Sequence, residues 1–339
     1  MKILHETLHL FRSGSELDLG VAEPFFDALT TETDERLLTH VLTAWERKGT
    51  TENELFAMAR IMRHRCIRVN TNHIDFVDAV GTGGSKAKTF NVSTAAAFVI
   101  AGAGVPVAKH GNRAATSSSG SADVLAALGV NPSVDAAKAG ECLDEIGICF
   151  MFAPNFHALS QALGKVRRGL DFPTIFNNLG PLCNPASAPH QVIGVWKKEL
   201  VEKTANVLLR LGTKKSWIVH GCDGLDEITL NGPTTVAEIE NGSVNIFDIS
   251  VNEFGIDPSK MLDLQVSTAA ESAELIQNVF NGKCENRDAV NLVAINAAAA
   301  IHVASPGIGT REAFNRANES IVSGSASRKL RQLAEMTSK

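Results

Sequence analysis

The sequence predicts an α/β protein in two parts: a small helical domain over residues 1–72, and a large α/β domain with a mainly parallel sheet over 73–339. Three observations lead there. Apolar residues recur at three- and four-residue spacing through the N-terminal part, the mark of amphipathic helices. From His73 onward, short apolar stretches alternate with helical patterns, and glycines stand at many of the junctions. Two long apolar runs, 92–108 and 289–304, are broken by Gly102, Gly104 and Pro106 in the first and by Asn291, Asn296 and His302 in the second, so they read as buried core.

In the helical part the periodic positions are Phe25, Phe26 and Leu29, then Leu37, Leu38, Val41 and Leu42, then Leu55, Met58, Ala59 and Met62. Thr51 ahead of Glu54 reads as a capping box that opens the last of these helices. A strand is expected over Ile74 to Val80, running into Gly81-Thr82-Gly83-Gly84. A helix follows from about Ser93 to Ala103, stopped by Gly104. Val105 to Ala108 reads as the next strand, followed by a Ser- and Gly-rich loop and a helix capped by Ser121 and closed at Gly129. Helix Ala136 to Ile146, strands Cys149 to Phe152 and Gln191 to Trp196, helix Leu200 to Leu211 and strand Ser216 to His220 continue the alternation. Strand–helix alternation requires crossover connections, hence a largely parallel sheet covered by helices. Helices over Ser272 to Asn281 and Asp288 to Ala304, and an amphipathic segment near Arg328 to Met336, complete the body. The stretch from His157 to Leu170 reads as helical and lies between strands; the region 157–182 is expected to join the N-terminal helices in space.

Composition excludes several classes. Of 339 residues, 44% are hydrophobic and 20% charged, the balance of a globular chain with a substantial core. A net charge of −5 gives no general reason to expect nucleic acid as a partner. Neither a signal-peptide pattern nor a membrane-length apolar run is present. The six cysteines form no C-x-x-C pair and no compact framework, so they read as reduced thiols of a cytoplasmic protein.

Four constellations carry chemistry. Gly81-Thr82-Gly83-Gly84, with Asn91-Val92-Ser93-Thr94 at the following helix start, is either a turn and a cap or a phosphate cradle. Close backbone approach and a helix N-terminus together favour the cradle. Lys109-His110-Gly111-Asn112-Arg113, leading through Thr116-Ser117-Ser118-Ser119-Gly120-Ser121, is a solvated loop or a second anion site. Its place at the carboxyl end of a strand favours the site. Asp223-Gly224-Leu225-Asp226-Glu227 follows another strand and offers the oxygen ligands that suit Mg²⁺. Arg167-Arg168, ahead of Thr174-Ile175-Phe176-Asn177-Asn178-Leu179-Gly180-Pro181-Leu182, supplies a fork able to hold a carboxylate.

Taken in order, G-T-G-G, T-F-N-V-S-T, K-H-G-N-R, S-G-S-A-D-V-L-A-A-L-G, F-x-F-A-P, T-I-F-N-N-L-G-P-L-x-N-P, Q-V-I-G-V and H-G-x-D-G-L-D-E resemble the anthranilate phosphoribosyltransferase family, from about Val80 to Gly242. The resemblance implies a fold of the nucleoside-phosphorylase/phosphoribosyltransferase type, usually a homodimer. It implies transfer of the 5-phosphoribosyl group of PRPP to the amino group of anthranilate, with Mg²⁺ as cofactor, in tryptophan biosynthesis. Carried over by motif, PRPP would meet Gly81, Gly84, Ser85, Thr89, Asn91, Val92, Ser93, Thr94, Lys109, His110, Gly111, Asn112, Arg113, Ser117 and Ser121. Anthranilate would meet Gly81, Asn112 and Arg167, with His110 and His157 along its approach. Mg²⁺ would be held by Ser93, Asp226 and Glu227, and no residue is assigned as acid or base.

Two departures from the family pattern stand out. Gly84-Ser85-Lys86 replaces the usual G-G-D-G, which bears on the number of metal ions. His157-Ala158-Leu159-Ser160 replaces H-P-A-M, which bears on the aromatic approach. A pyrimidine-nucleoside phosphorylase is the nearest enzymatic alternative, but phosphorolysis needs neither the Asp226-Glu227 pair nor the Lys109–Arg113 motif. A non-catalytic nucleic-acid-binding relative would need a basic groove and a degraded metal site, whereas Arg167, Asp226 and Glu227 all remain.

Overall fold

The computed structural model describes residues 2–84, 89–113, 119–261 and 264–338. Ser85 and Ser117 lie outside the described residues. Four helices open the chain: α1 (Lys2–Arg12), α2 (Ala22–Thr31), α3 (Glu35–Lys48) and α4 (Glu52–Arg65). Asp34 caps α3 by accepting from the backbone N–H of Arg36 and Leu37, and the Thr51/Glu54 capping box opens α4 as the spacing predicts. Their apolar faces meet around Trp45, which stacks on Phe11 at 4.9 Å and meets Phe25 edge-on at 5.4 Å.

The α/β part runs β1 (Val77–Gly81), α5 (Val92–Gly102), β2 (Val107–Gly111), α6 (Ser121–Ala127), α7 (Ala136–Ile146), β3 (Ile148–Phe152), α8 (Ala153–Phe156), α9 (Gln161–Gly169), α10 (Ile175–Leu182), β4 (His190–Gly194), α11 (Glu199–Arg210), β5 (Lys215–Gly221), β6 (Thr234–Glu240), β7 (Ser243–Ile249), α12 (Ala269–Phe280), α13 (Arg287–Ala304), α14 (Thr310–Val322) and α15 (Ser325–Thr337). The seven strands form one sheet in the order β3-β2-β1-β4-β5-β6-β7. The pairings from β3 through β5 are parallel, and β6 and β7 are antiparallel.

Alternate residues of the central strands face two different cores, as a two-period strand requires. Val192, Trp217, Val219 and Val236 join the core formed with α5, α12, α13 and α14. Ile193, Ile218, Ala237 and Ile239 join the core formed with the N-terminal helices, α10 and α11. The first apolar run forms α5 and the start of β2 and the second lies in α13; nearly all residues of both helices are buried, which is why neither shows a polar face. No helix among the described residues is long and apolar enough to cross a membrane.

Several boundaries depart from the expectations. The first strand begins at Val77, because Ile74 is 79% exposed and pairs with nothing. The second runs through Lys109 and His110 to Gly111, so the K-H-G segment is strand and not loop. The fourth ends at Gly194, short of Trp196. Ser121 is the first helical residue and not the cap: the Asp123 carboxylate accepts from the Gly120 N–H at 3.1 Å, and the Ser121 hydroxyl donates to the Asn112 carbonyl at 3.3 Å. The helix expected from His157 starts only at Gln161, because Ser160 caps it and donates its hydroxyl to the Glu32 carbonyl. The β6–β7 hairpin, α10 and α14 are additions to the expected elements.

Candidate active site

The chain builds β1, β2 and β3 outward on one side and then returns to lay β4 and β5 on the other, so β1 and β4 are neighbours whose connections leave in opposite directions. Open parallel sheets bind ligands at the carboxyl edge of such a switch point. Here those ends are Gly81 and Gly194, which face each other in register. A methyl group at Gly194 would lie 1.5 Å from the Asp226 carbonyl oxygen, and one at Gly81 would lie 2.7 Å from the Asp226 carboxylate. The two absent side chains make the notch that Asp226 enters.

Asp226 and Glu227 sit on the loop after β5. Asp226 accepts from the Gly83 N–H at 3.1 Å. Asp223 does not share their role: it accepts from the Thr229 hydroxyl at 2.6 Å and the Leu225 N–H at 3.3 Å, closing the loop on itself. Asn296 of α13 grips the next residue from behind, accepting from the Ile228 N–H at 2.9 Å and donating to its carbonyl at 3.0 Å. Burial raises the Asp226 carboxyl above its ordinary range, and it raises Glu227 further, with the Asp226 charge adding to the effect. The Ser93 N–H and the Lys109 cation only partly offset this, and Glu227 Oε2 is buried without a partner. The start of α5 therefore faces Glu227.

Lys109 is 3% exposed on β2. Its ammonium donates to the Ala79 carbonyl at 2.7 Å and to Ser93 Oγ at 3.3 Å. Burial pushes its pKa down to about 8, against the pull of Asp78 and Glu227. Asp78 is fully buried on β1, where it accepts from the Asn184 amide at 2.7 Å and the His110 N–H at 3.2 Å; burial raises it to about 6. Asp78, Asn184 and Asn296 carry no role in the sequence-based assignment. Their signal was present, a lone acid in V-D-A-V and an asparagine inside an apolar helical run, because buried polar groups need partners.

His110 and His157 stand with ring centroids 5.2 Å apart. Burial lowers His110 to about 3 and His157 to about 4, so both rings are neutral at pH 7. His110 Nδ1 meets the Gly180 carbonyl at 3.0 Å, which makes Nδ1 the protonated nitrogen and leaves Nε2 buried and unpaired. On the same helix, Asn177 donates to the Thr82 carbonyl at 3.2 Å. Arg167, in the last turn of α9, lies 4.8 Å over the Phe176 ring of α10, with its Nε buried and without a partner; burial lowers its pKa to about 10.

Other assigned residues have mainly structural contacts here. Asn91 accepts from the hydroxyls of Ser119 at 2.7 Å and Ser272 at 3.0 Å, tying α12 to the loop before α6. Val92 is buried, and its N–H goes to the Phe90 carbonyl at 2.8 Å. The Thr89 hydroxyl donates to the Phe90 carbonyl, and Thr94 Oγ1 is buried without a partner. Gly84 packs on the Trp196 ring, and Gly111 packs against Phe150 and Ser121. Asn112 and Arg113 are exposed, while Lys109 is buried on β2.

By fold, the class is that of the α/β glycosyl transferases, and residues 73–327 match the sequence model of the glycosyl transferase family, a/b domain. An anthranilate phosphoribosyltransferase from Laribacter hongkongensis is 47% identical over 291 residues, 85% of this chain and 84% of that protein. The crystal structure of anthranilate phosphoribosyltransferase from Thermus thermophilus superimposes with a TM-score of 0.88 at 33% identity, covering 98% of this chain and 99% of that one. The Saccharomyces cerevisiae enzyme in complex with PRPP and Mg superimposes with a TM-score of 0.89 at 27% identity, covering 99% and 98%. The same yeast enzyme has been solved in complex with 4-fluoroanthranilate. The chain belongs to the anthranilate phosphoribosyltransferase family.

Proposed function

We propose that the crevice above Gly81 and Gly194 binds PRPP with Mg²⁺ and anthranilate, and that the chain transfers the 5-phosphoribosyl group to the anthranilate amine with release of pyrophosphate. The observation that carries this reading is the half-buried Asp226–Glu227 pair, whose Glu227 Oε2 is buried and, among the described residues, unpaired beside Ser93 and Lys109. Two adjacent carboxylates and a hydroxyl are the hard-oxygen set that Mg²⁺ takes, and a cation there would relieve the mutual repulsion that raises Glu227. Bound Mg²⁺ supplies positive charge to the pyrophosphate leaving group.

Lys109 adds fixed positive charge at the same edge, and the Gly81–Gly84 backbone lets an anion come close. Arg167 holds the anthranilate carboxylate, and the two neutral histidines line the approach without competing for its charge. The bond from the anomeric carbon to pyrophosphate breaks as the amine lone pair attacks that carbon, and the ammonium so formed, strongly acidic, gives up its proton to water or to the departing pyrophosphate. An aromatic amine is neutral at pH 7, so no strong base is required. In this reading the helices of 1–72 with 157–182 form a separate domain on the anthranilate side, and the α/β domain holds PRPP. Incubation with PRPP, Mg²⁺ and anthranilate should consume the anthranilate fluorescence; an unchanged signal would overturn the assignment. The protein is further proposed to act as a cytoplasmic homodimer, and light scattering that returned the monomer mass of 36.1 kDa would count against the dimer.

A further inference from the structure

At the amino-terminal edge of the sheet, opposite the crevice, a cavity of about 410 Å³ opens between the ends of α4 and α11 and the loops that lead into β4 and β5. Its walls carry Arg60, Arg63, His64, Arg68 and Arg210, with Phe56 and the backbone of 187–188 and 211–213 completing them. Among the described residues no acid lines it, in a chain whose net charge is −5. Like charges gathered this closely repel one another, and an anion among them would relieve that repulsion.

The neighbours do not neutralise it. Among the described residues, Arg210 alone of these cations reaches a carboxylate, Glu52 at 3.4 Å, while its guanidinium lies 3.9 Å over the Phe56 ring. Arg68 donates to the Ser187 hydroxyl. Arg63 donates Nε to the Leu182 carbonyl and Nη1 to the Leu211 carbonyl at 3.1 Å, which fixes the plane of its guanidinium between the ends of α10 and α11. Burial lowers Arg63 below its ordinary value, and the Arg68 cation presses the same way. Arg60 and His64 are exposed and form no salt bridge among the described residues.

We propose that this cavity is a second anion site, one that takes a pyrophosphate group. Guanidinium forks match phosphate oxygens bidentately, and Arg60, Arg68 and Arg210 around one cavity, beside the charge of the carbonyl-held Arg63, suit a group with several charges better than a monoanion. The site shares no residue with the catalytic crevice and lies at the other edge of the sheet. It therefore stands or falls independently of the reaction assigned above. Arg63 ends on Leu182, the last residue of the helix whose Gly180 carbonyl meets His110, so the cavity abuts the back of the catalytic wall.

The test titrates inorganic pyrophosphate into the full chain by calorimetry in the presence of EDTA, comparing wild type with the double variant Arg60→Ala, Arg68→Ala. Both side chains are exposed, so the fold should persist, with an unchanged thermal midpoint and unchanged transferase turnover as controls. The double variant should weaken pyrophosphate binding at least tenfold. Superimposable isotherms would overturn the proposal. A parallel titration with ADP separates the sources: tighter binding than pyrophosphate at the same arginines assigns the group to a nucleotide, and weaker binding assigns it to free pyrophosphate. Affinity for single-stranded oligonucleotides that rises with length and is lost in the double variant would overturn the small-anion reading in favour of nucleic acid.

Discussion

Glu54, buried in the helical part, and Glu227, half-buried at the carboxyl edge of the sheet, are both carboxylates that burial pushes upward, and their surroundings treat them in opposite ways. Burial alone would raise Glu54. Lys48 at 2.8 Å, the Leu17 and Thr51 N–H groups at 2.9 Å each and the Trp45 indole at 3.1 Å outweigh burial and bring it below its ordinary value. Glu227 has its own burial with a second carboxylate beside it and one oxygen unpaired among the described residues, and it is driven well above its ordinary value. Where a fold completes a buried charge from its own atoms, the charge holds structure together. Where it leaves the charge incomplete, the missing partner comes from outside. Arg63, bonded to two helix-end carbonyls, and Arg167, with Nε unpaired, repeat the contrast in cations.

Glu54→Ala tests the completed side of this contrast and carries the largest expected effect. Removing one member of a buried pair should cost about 3–5 kcal/mol of stability. Turnover per folded molecule should stay at the wild-type value, and denaturant unfolding with an active-fraction assay checks both. Because the folded Glu54 pKa lies below 4.5, its contribution is present at neutral pH and lost as pH falls from 4.5 through the folded value. Glu54→Gln should therefore remove the stability difference between pH 7 and acid that this group supplies. A variant that unfolds with the wild-type pH dependence would break the contrast.

Asp226→Ala and Glu227→Ala test the incomplete side. Each should reduce turnover by roughly a hundred- to a thousandfold, the size of losing one preorganised transition-state contact. Glu227→Ala should not lower the thermal midpoint, because it removes a charge that the fold leaves incomplete, whereas Asp226→Ala also gives up the hydrogen bond from the Gly83 N–H. Mg²⁺ should raise the midpoint of the wild type and not that of the variants. Near-wild-type rates at limiting Mg²⁺ in both would remove the metal assignment.

Arg167→Ala should weaken anthranilate by roughly ten- to a hundredfold, which is about 1.5–3 kcal/mol for a charged hydrogen bond, with PRPP affinity unchanged. Loss of PRPP affinity instead would assign the guanidinium to the other substrate. The smallest effect is expected at Ser85, where the family usually has an aspartate. Ser85→Asp should increase the Mg²⁺ requirement, since hard cations follow oxygen charge. Superimposable Mg²⁺ titrations would show that the side chain takes no part.

The alternation of strands and helices, the capping box at Thr51 and the buried character of α5 and α13 were legible because each rests on local pattern. Lys109 and His110 were not legible as strand residues. A cation inside a parallel sheet makes sense only once Asp78 lies beside it, and that neighbour is set by the register of Val77 against Val107, a tertiary fact. Asp78 was unread for the same reason, since neither half of the pair explains itself alone. The β6–β7 hairpin differs: Asn241-Gly242 between two alternating runs is a strong local hairpin signal, so this element was available to pattern alone. At the site, the motifs lie at or beside strand ends, although Lys109 and His110 belong to the second strand itself and the fourth ends at Gly194. Which oxygens lack partners depends on contacts more than a hundred residues apart in the chain, as between Gly83 and Asp226.

The notch at Gly81 and Gly194 has a consequence for how this sequence can change over generations. The Asp226 backbone occupies the space in which a side chain at 194 would begin, so neither glycine can acquire one while the acidic loop keeps its course. Conversely, a lineage released from selection for the reaction would be free to move the loop, and only then could the glycines drift. The three positions form one heritable unit. Among descendants that abandoned the chemistry, they should be found altered together, with side chains at the two strand ends marking where an acid once lay.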